Sequence, residues 1–364
     1  MQILFFGLTI SSSWGNGHAT PYRALLRALS QQGVDVVFYE RDVPYYAKHR
    51  DFDRCDYCEL VLYNDWDTIR HSALRRAQGA DIVLTASYLP EGARISEELL
   101  GLEAPLHVFY DLDTPITLNR MQSADLDYLR ADLIPQFDLY LSFTGGNILQ
   151  TLERDLGARR AKPLYGCVDP DIYVRAPRER RFACDLSFMG TYAPDRAGCI
   201  RNLFVAAAER MPGQDFLLAG SMYPTTWTWP ANVKRLEHVA PSEHPSLYSS
   251  SRATLNLTRN EMARAGYCPS GRFFEASACG TPLLTDEWEG LDYFFDTSEE
   301  LIVVRTSDEV VQALRLSDED LIRRAARARE RTLDEHTGWH RAKQLLAACE
   351  EACELKPAIA ERFS

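Results

Sequence analysis

A histidine closing a glycine-rich turn, two aspartates one residue apart and a glutamate on a small-residue helix are spaced to do chemistry. His18 ends the stretch "SSSWGNGH", between an apolar run and a helical pattern. An imidazole titrates near 6.5 and can take a proton from a hydroxyl. In the loop before it, formed by Trp14, Gly15, Asn16 and Gly17, the glycines let backbone come close to a ligand. The plain alternative is a turn histidine that caps a helix or bonds water. In "FYDLDTP", Asp111 and Asp113 end another apolar run. They can orient His18, bind hydroxyls of a second substrate or act as the base themselves. Asp-x-Asp also suits magnesium held together with phosphates, and a turn-forming role competes with both.

The second half carries a different set. Glu275 lies in "SGRFFEASACGTPLLTD" on a short helix ending at Gly280, with Gly271, Arg272, Ala278 and Cys279 one turn away. A carboxylate there can accept both hydroxyls of a ribose, and small neighbours let a nucleotide lie against the helix. Amides near Ser270 and Gly271 open the helix and suit a diphosphate. The competing reading is a surface glutamate on an amphipathic helix. Gly190, Thr191 and Tyr192 in "FMGTYAPDR" follow a strand pattern, with Arg196 expected on the next helix. Arg196, Arg259 and Arg272 are three candidates for a bidentate grip on a diphosphate, each equally readable as a structural ion pair. Amides around Gly290 and Leu291 are further candidates for the same ligand.

Such residues need rigid elements behind them. "QILFFGL", "VDVVFYE", "ADIVLTAS", "PLHVFYD" and "DLYLSFTG" read as buried strands, with helices such as "YRALLRALSQQG" and "ISEELLGL" between several of them. Continuous apolar strands joined by helices mean a parallel sheet covered on both faces. "CDLSFMG", "DFLLAG", "ATLNLT", "PLLTD" and "ELIVVR" repeat the scheme, with helices "CIRNLFVAAAERM", "HPSLYSSS" and "GRFFEASACG". "CVDPDIYVRAPRERRF" breaks the periodicity and reads as a linker, its Arg178, Arg180 and Arg181 as a solvated face. Two α/β domains are therefore expected, 1–168 and 169–337, with a closing helix at 338–364. Ligands of open α/β sheets bind beyond the carboxyl ends of the strands, and two facing domains would share a cleft there.

Composition narrows the partners. With 52 acidic against 40 basic residues the net charge is −12, which argues against a nucleic-acid partner. No basic leader or long apolar span precedes the first strand, so a cytoplasmic protein without a transmembrane segment is expected. Nine scattered cysteines fit a reducing compartment. Cys55 and Cys58 in "CDYC" and the pair Cys349 and Cys353 lie too far apart in sequence for the usual zinc spacing, and read as ordinary thiols.

"FFEASACGTPLLTDEWEGLDYFF" resembles the donor-binding stretch of GT-B glycosyltransferases, above all the CgeB-like group first named for spore-maturation proteins. "GNGHATPYRALLRAL", "FYERDVPYY", "YDLDTP", "YLSFTGG", "FMGTYAPDR" and "LNLTRNEM" are similar to that group in the same order, so the likeness spans nearly the whole chain. It implies two Rossmann-like domains. The C-terminal one would hold a nucleotide-sugar donor, the N-terminal one the acceptor, and the last helix would cross back onto the first domain. It also implies transfer without a metal or other cofactor, with UDP as the default nucleotide. One position departs from the pattern. Many retaining members carry a glutamate eight residues before the ribose-binding one, and Tyr267 stands there; a phenol with a pKa near 10 supplies no negative charge at neutral pH. Glu261 lies nearby as a substitute or as a surface charge. Tyrosine-rich loops, "RDVPYYAKHRDFDRCDYC" and "SYLPEGAR", would line the acceptor, whose identity stays open. A sugar-nucleotide epimerase of the same fold and a non-catalytic sugar-binding coat protein are the alternative functions.

Overall fold

The computed structural model describes residues 1–52, 54–103, 105–123 and 126–354. These divide into two compact units, one of residues 1–165 with the segment from Gly338, the other Gly166–Thr337. Gly166–Val168 thus group with the second unit, where Val168 bridges Thr337.

The first unit is built on a seven-stranded parallel sheet in the order β3-β2-β1-β4-β5-β6-β7. Its strands are β1 Gln2–Gly7, β2 Asp35–Arg41, β3 Glu59–Tyr63, β4 Ile82–Ala86, β5 Leu106–Asp111, β6 Leu139–Ser142 and β7 Ala161–Pro163. The central strands are continuous runs of large apolar residues, as a sheet buried on both faces requires. Phe5 pairs with Phe38 and Phe6 with Tyr39, and both ring pairs stack, at 5.1 and 4.5 Å. At Gly7 a Cβ would stand 2.7 Å from the Phe38 ring, so the strand must end on glycine. The Ala19–Gln31 helix covers the sheet with its apolar face, and Gly33 follows it at φ +79° as the left-handed exit. The Gly338–Cys353 helix packs against it so closely that a Gly338 Cβ would lie 2.4 Å from the Ala24 carbonyl oxygen. The end of the expected closing helix, 355–364, lies outside the described residues.

The second unit has six parallel strands in the order β10-β9-β8-β11-β12-β13. They are β8 Cys184–Met189, β9 Phe216–Ala219, β10 Val233–Leu236, β11 Ser251–Asn256, β12 Leu283–Thr285 and β13 Ile302–Val303. A core of Leu186, Phe188, Phe204, Phe216 and Leu255 fills one face. The helix expected at "CIRNLFVAAAERM" is present but passes through a π-helical stretch, Ile200–Val205. Among the described residues no helix is long and apolar enough to cross a membrane.

Three strands had no sequence reading: β3, β7 and β10. Each is an edge or near-edge strand with solvent-facing positions, "ELVLY", "AKP" and "VKRL", so none presents a continuous apolar run. Each sheet reverses its strand order once, between β1 and β4 in the first unit and between β8 and β11 in the second. Chains leaving neighbouring strands there diverge, which leaves a crevice at the carboxyl edge.

Candidate active site

In the first unit, the loop after β1 is held from below by Glu40, at the end of β2. Its buried carboxylate accepts from the Thr9 hydroxyl at 2.7 Å, the Ile10 and Ser11 amides at 2.8 and 3.0 Å, and the Ser11 hydroxyl. Asp51 takes the Ser13 hydroxyl and amide and pairs with Arg23 at 2.5 Å. So anchored, the loop turns at Gly15, where φ is +61° and a Cβ would meet the Tyr45 hydroxyl at 2.7 Å. Trp14 stacks on His49 at 4.2 Å. Asn16 accepts from the His18 amide at 2.8 Å, starting the next helix. Gly17 opens onto empty space, so nothing within the protein requires a glycine there.

His18 is the N-cap of the Ala19–Gln31 helix, but its side chain makes no capping bond. The ring is turned to the residues beyond β4 and β5. Nε2 lies 3.6 Å from Asp113 Oδ2, which also accepts from the Tyr88 hydroxyl at 2.9 Å. His18 and Asp113 side chains keep 15% and 21% of their surface exposed, enough for a hydroxyl to reach them. His18 Nδ1 is sealed, with no hydrogen-bond partner among the described residues. Proton exchange with a ligand therefore belongs to Nε2.

Asp111 must be withdrawn from the catalytic set. It is fully buried, with Oδ2 accepting from Tyr140 at 2.7 Å and Oδ1 from Thr117 and the Asp113 amide at 2.9 and 3.1 Å. Burial raises its carboxyl to about 6 against the pull of those bonds. It is a strut beneath Asp113. Among the described residues no three His, Cys, Asp or Glu side chains gather as a ligand set.

In the second unit, the chains leaving β8 and β11 carry two guanidinium groups to one spot. Arg196, buried in a 3-10 turn before the helix rather than on it, donates to the Thr191 and Leu257 carbonyls. Arg272, in the first turn of the Gly271–Ala278 helix, donates to the Met189 and Leu257 carbonyls. A Cβ on Gly190 would meet Arg272 Nη1 at 2.5 Å and Arg196 Nη2 at 3.1 Å, so that glycine makes room for both. Among the described residues no carboxylate lies within ion-pair distance of either. Burial, and then the Arg272 charge, lower Arg196 to about 9. Two cations this close at a strand crevice, with no carboxylate at hand, have the charge and donors to hold an anion. Arg259 is different: its Nε pairs with Asp195 at 3.1 Å.

Glu275 is almost fully buried on the same helix. Its Oε2 lies 3.4 Å from the Tyr248 hydroxyl and 3.8 Å from His244 Nδ1, and Tyr173 closes the group. The other oxygen faces Gly271: Oε1 stands 3.9 Å from the position of a Gly271 Cβ, with nothing nearer outside the helix. The Ser270 hydroxyl donates to Asn256 at the end of β11 instead of capping the helix. Tyr192 packs edge-on against Tyr223 and Trp227.

Two expected ligand contacts are corrected. The space over Gly290 is taken by Tyr267, whose ring would meet a Gly290 Cβ at 2.5 Å. The Leu291 amide already donates to the Trp288 carbonyl at 3.3 Å, and its side chain is buried. The linker arginines Arg178, Arg180 and Arg181 are all exposed, as expected; Arg181 pairs with Glu179 and Glu243, and Arg178 and Arg180 border a cavity of about 650 Å³ with Asp185 and Asp215. It lies at the amino-terminal edge of the second sheet. Residues with no sequence reading include Glu40, Asn256 and the Tyr223–Trp227–Trp229 cluster, while Tyr88 belongs to the loop "SYLPEGAR" expected to line the acceptor. Glu40 had a signal, standing at the end of a strand pattern like the aspartates; Asn256 and the aromatic cluster had none.

Residues 196–347 match the family model described as "Glycosyl transferase-like". Sucrose-phosphate synthase from Thermosynechococcus elongatus is similar in structure over 98% of this chain and 100% of its own, with a TM-score of 0.70 and 14% identity. Anabaena HepE, solved with UDP and glucose, matches over 95% and 98% with a TM-score of 0.66 and 14% identity. An alpha-glucosyltransferase in complex with UDP-glucose and DNA containing an abasic site matches over 96% and 99%, with 0.71 and 13%. The chain has the GT-B fold. No curated protein matches it in sequence. The GT-B match covers both units, and the arginine pair falls inside the family-matched segment.

Proposed function

We propose that this GT-B protein is a glycosyltransferase that moves a sugar from a UDP-sugar to an acceptor hydroxyl. The observation that carries the reading is the pair Arg196 and Arg272, two guanidinium groups at one strand crevice without a carboxylate between them. A diphosphate supplies the missing charge, and the arginines in turn offset charge on the departing nucleotide without a metal. Glu275 takes the ribose hydroxyls along the open Gly271 face. Gly190 and the start of the Gly271–Ala278 helix border the phosphates. UDP as the nucleotide draws support from the ligands of HepE and the alpha-glucosyltransferase.

On the first unit, His18 Nε2 takes the proton of the acceptor hydroxyl as its oxygen attacks the sugar. The imidazolium so formed lies 3.6 Å from the Asp113 carboxylate, which stabilises it. Tyr88 holds Asp113 in place through its hydroxyl.

The test is calorimetric titration of UDP, and of GDP beside it, in EDTA. Binding of UDP that persists without divalent metal supports the reading. Absent or metal-requiring binding overturns it. Release of free UDP only when an acceptor is added separates transfer from epimerisation.

A further inference from the structure

The chain leaves β11 through Leu255, Asn256 and Leu257, and the asparagine is as buried as the leucines beside it. A side-chain amide sealed from water costs stability unless each of its groups is bonded. Asn256 meets half of that condition. Oδ1 accepts from the Ser270 hydroxyl at 2.7 Å, while Nδ2 has no partner among the described residues. The polar group that replaces a third leucine here thus serves Ser270.

Ser270 has the residue type and the extended backbone of a helix N-cap, φ −73° and ψ 151°, yet it makes no capping bond. A capping hydroxyl would lay its oxygen on the first-turn amides. With the hydroxyl turned to Asn256, the Gly271 and Arg272 amides have no acceptor among the described residues, and the Phe273 amide donates to the Ser270 carbonyl at 3.0 Å. Those open amides start the helix that carries Arg272. Its guanidinium shares the Leu257 carbonyl with Arg196, which is 6% exposed and whose Nε has no partner among the described residues. Open amides and cations without a carboxylate both favour an anion at this place.

We propose that Asn256 is a positioning residue: it draws the Ser270 hydroxyl off the helix start and so keeps the Gly271 and Arg272 amides open to an anion. That the anion is the donor's diphosphate rests on the transfer reading above. Without Asn256 the hydroxyl turns onto the helix and caps it, and an anion must displace it to bind. A cap of ordinary strength makes that competition cost about fivefold in affinity.

The experiment titrates pyrophosphate and UDP in EDTA into the wild type, Asn256→Leu, Ser270→Gly and the double variant, and follows amide hydrogen exchange at Gly271 and Arg272 by NMR. Leucine keeps the shape of asparagine and removes the acceptor. Asn256→Leu should bind both ligands about fivefold more weakly. The double variant should bind them as Ser270→Gly does, because no hydroxyl is left to cap. An Asn256→Leu affinity equal to that of the wild type overturns the proposal. So does a loss that persists in the double variant, which would make Asn256 a ligand contact or a strut. In the free wild type the two amides should exchange as unbonded groups, and pyrophosphate should slow them by about tenfold or more. Amides protected without ligand overturn the proposal even where Asn256→Leu misfolds. A wild type that binds neither ligand ends this proposal and the transfer reading together, whereas a failure in the variants alone leaves that reading standing.

Discussion

Arg196 and Arg272 share one aromatic floor, their guanidinium carbons 5.5 and 5.6 Å from the centroid of the Phe188 ring. The ring offsets part of the repulsion between them, and an anion would remove the rest. Removing either arginine takes a charged hydrogen bond from the bound diphosphate, worth about 1.5–3 kcal/mol. Arg196→Gln and Arg272→Gln should therefore each weaken UDP binding by about 10- to 100-fold. Arg272→Gln should also leave the ligand-free protein no less stable, because it relieves a like-charge contact. Titration calorimetry and thermal melts with and without pyrophosphate check both. An unchanged UDP affinity in either folded variant would remove that arginine from the site.

Glu275 differs from the arginines in what it recognises. Its Oε1 faces Gly271, where the proposed reading places the ribose. Glu275→Gln should lower UDP affinity about tenfold or more, by the same hydrogen-bond magnitude, and leave pyrophosphate binding as it was. Equal losses for both ligands would show that Glu275 acts by holding the helix, through Tyr248 and His244, rather than by touching the nucleoside.

Long apolar runs made most strands legible, since a strand buried on both faces has no polar alternation to hide it. The edges β3, β7 and β10 were hidden for the opposite reason. Of the site, Glu275 and the arginines could be named because glycines and strand ends mark them. Which arginine pairs with a carboxylate could not: Asp195 takes Arg259 and leaves Arg196 free of one, and only folding decides that. Asp111 and Asp113 look equivalent in "DLD". The strand end turns the first inward to Tyr140 and Thr117 and leaves the second beside Tyr88. Tyr88 itself sits at φ +65°, which nothing in "SYLPEG" announces.

Asp111 also sets a pH dependence. Burial raises its folded pKa to about 6, above the unfolded value near 3.9. Between those values the folded state binds the extra proton, so this carboxyl's contribution to stability is full below about 4 and is lost as pH rises towards 6. Two pKa units correspond to about 3 kcal/mol. Asp111→Asn carries no such titration, so its melting temperature relative to the wild type should rise between pH 4 and 6. The comparison is read from melts in matched buffers. Parallel curves for the two proteins across that window would contradict the assignment.

His18 tests the first unit as Arg196 tests the second. With Nδ1 sealed, Nε2 is the nitrogen that can meet an acceptor, and the proton it takes comes to rest beside Asp113. His18→Ala should reduce turnover by about 10²–10⁴, the range for a positioned proton acceptor, with UDP affinity unchanged. Asp113→Asn should reduce it in the same direction by less, because the imidazole remains but its cation loses the carboxylate. Tyr88→Phe should fall between wild type and Asp113→Asn, since the carboxylate keeps its charge and loses one donor. Steady-state rates at saturating donor and acceptor check the order. If His18→Ala turns over normally while Asp113→Asn is inactive, the carboxylate takes the proton itself and the histidine only positions it.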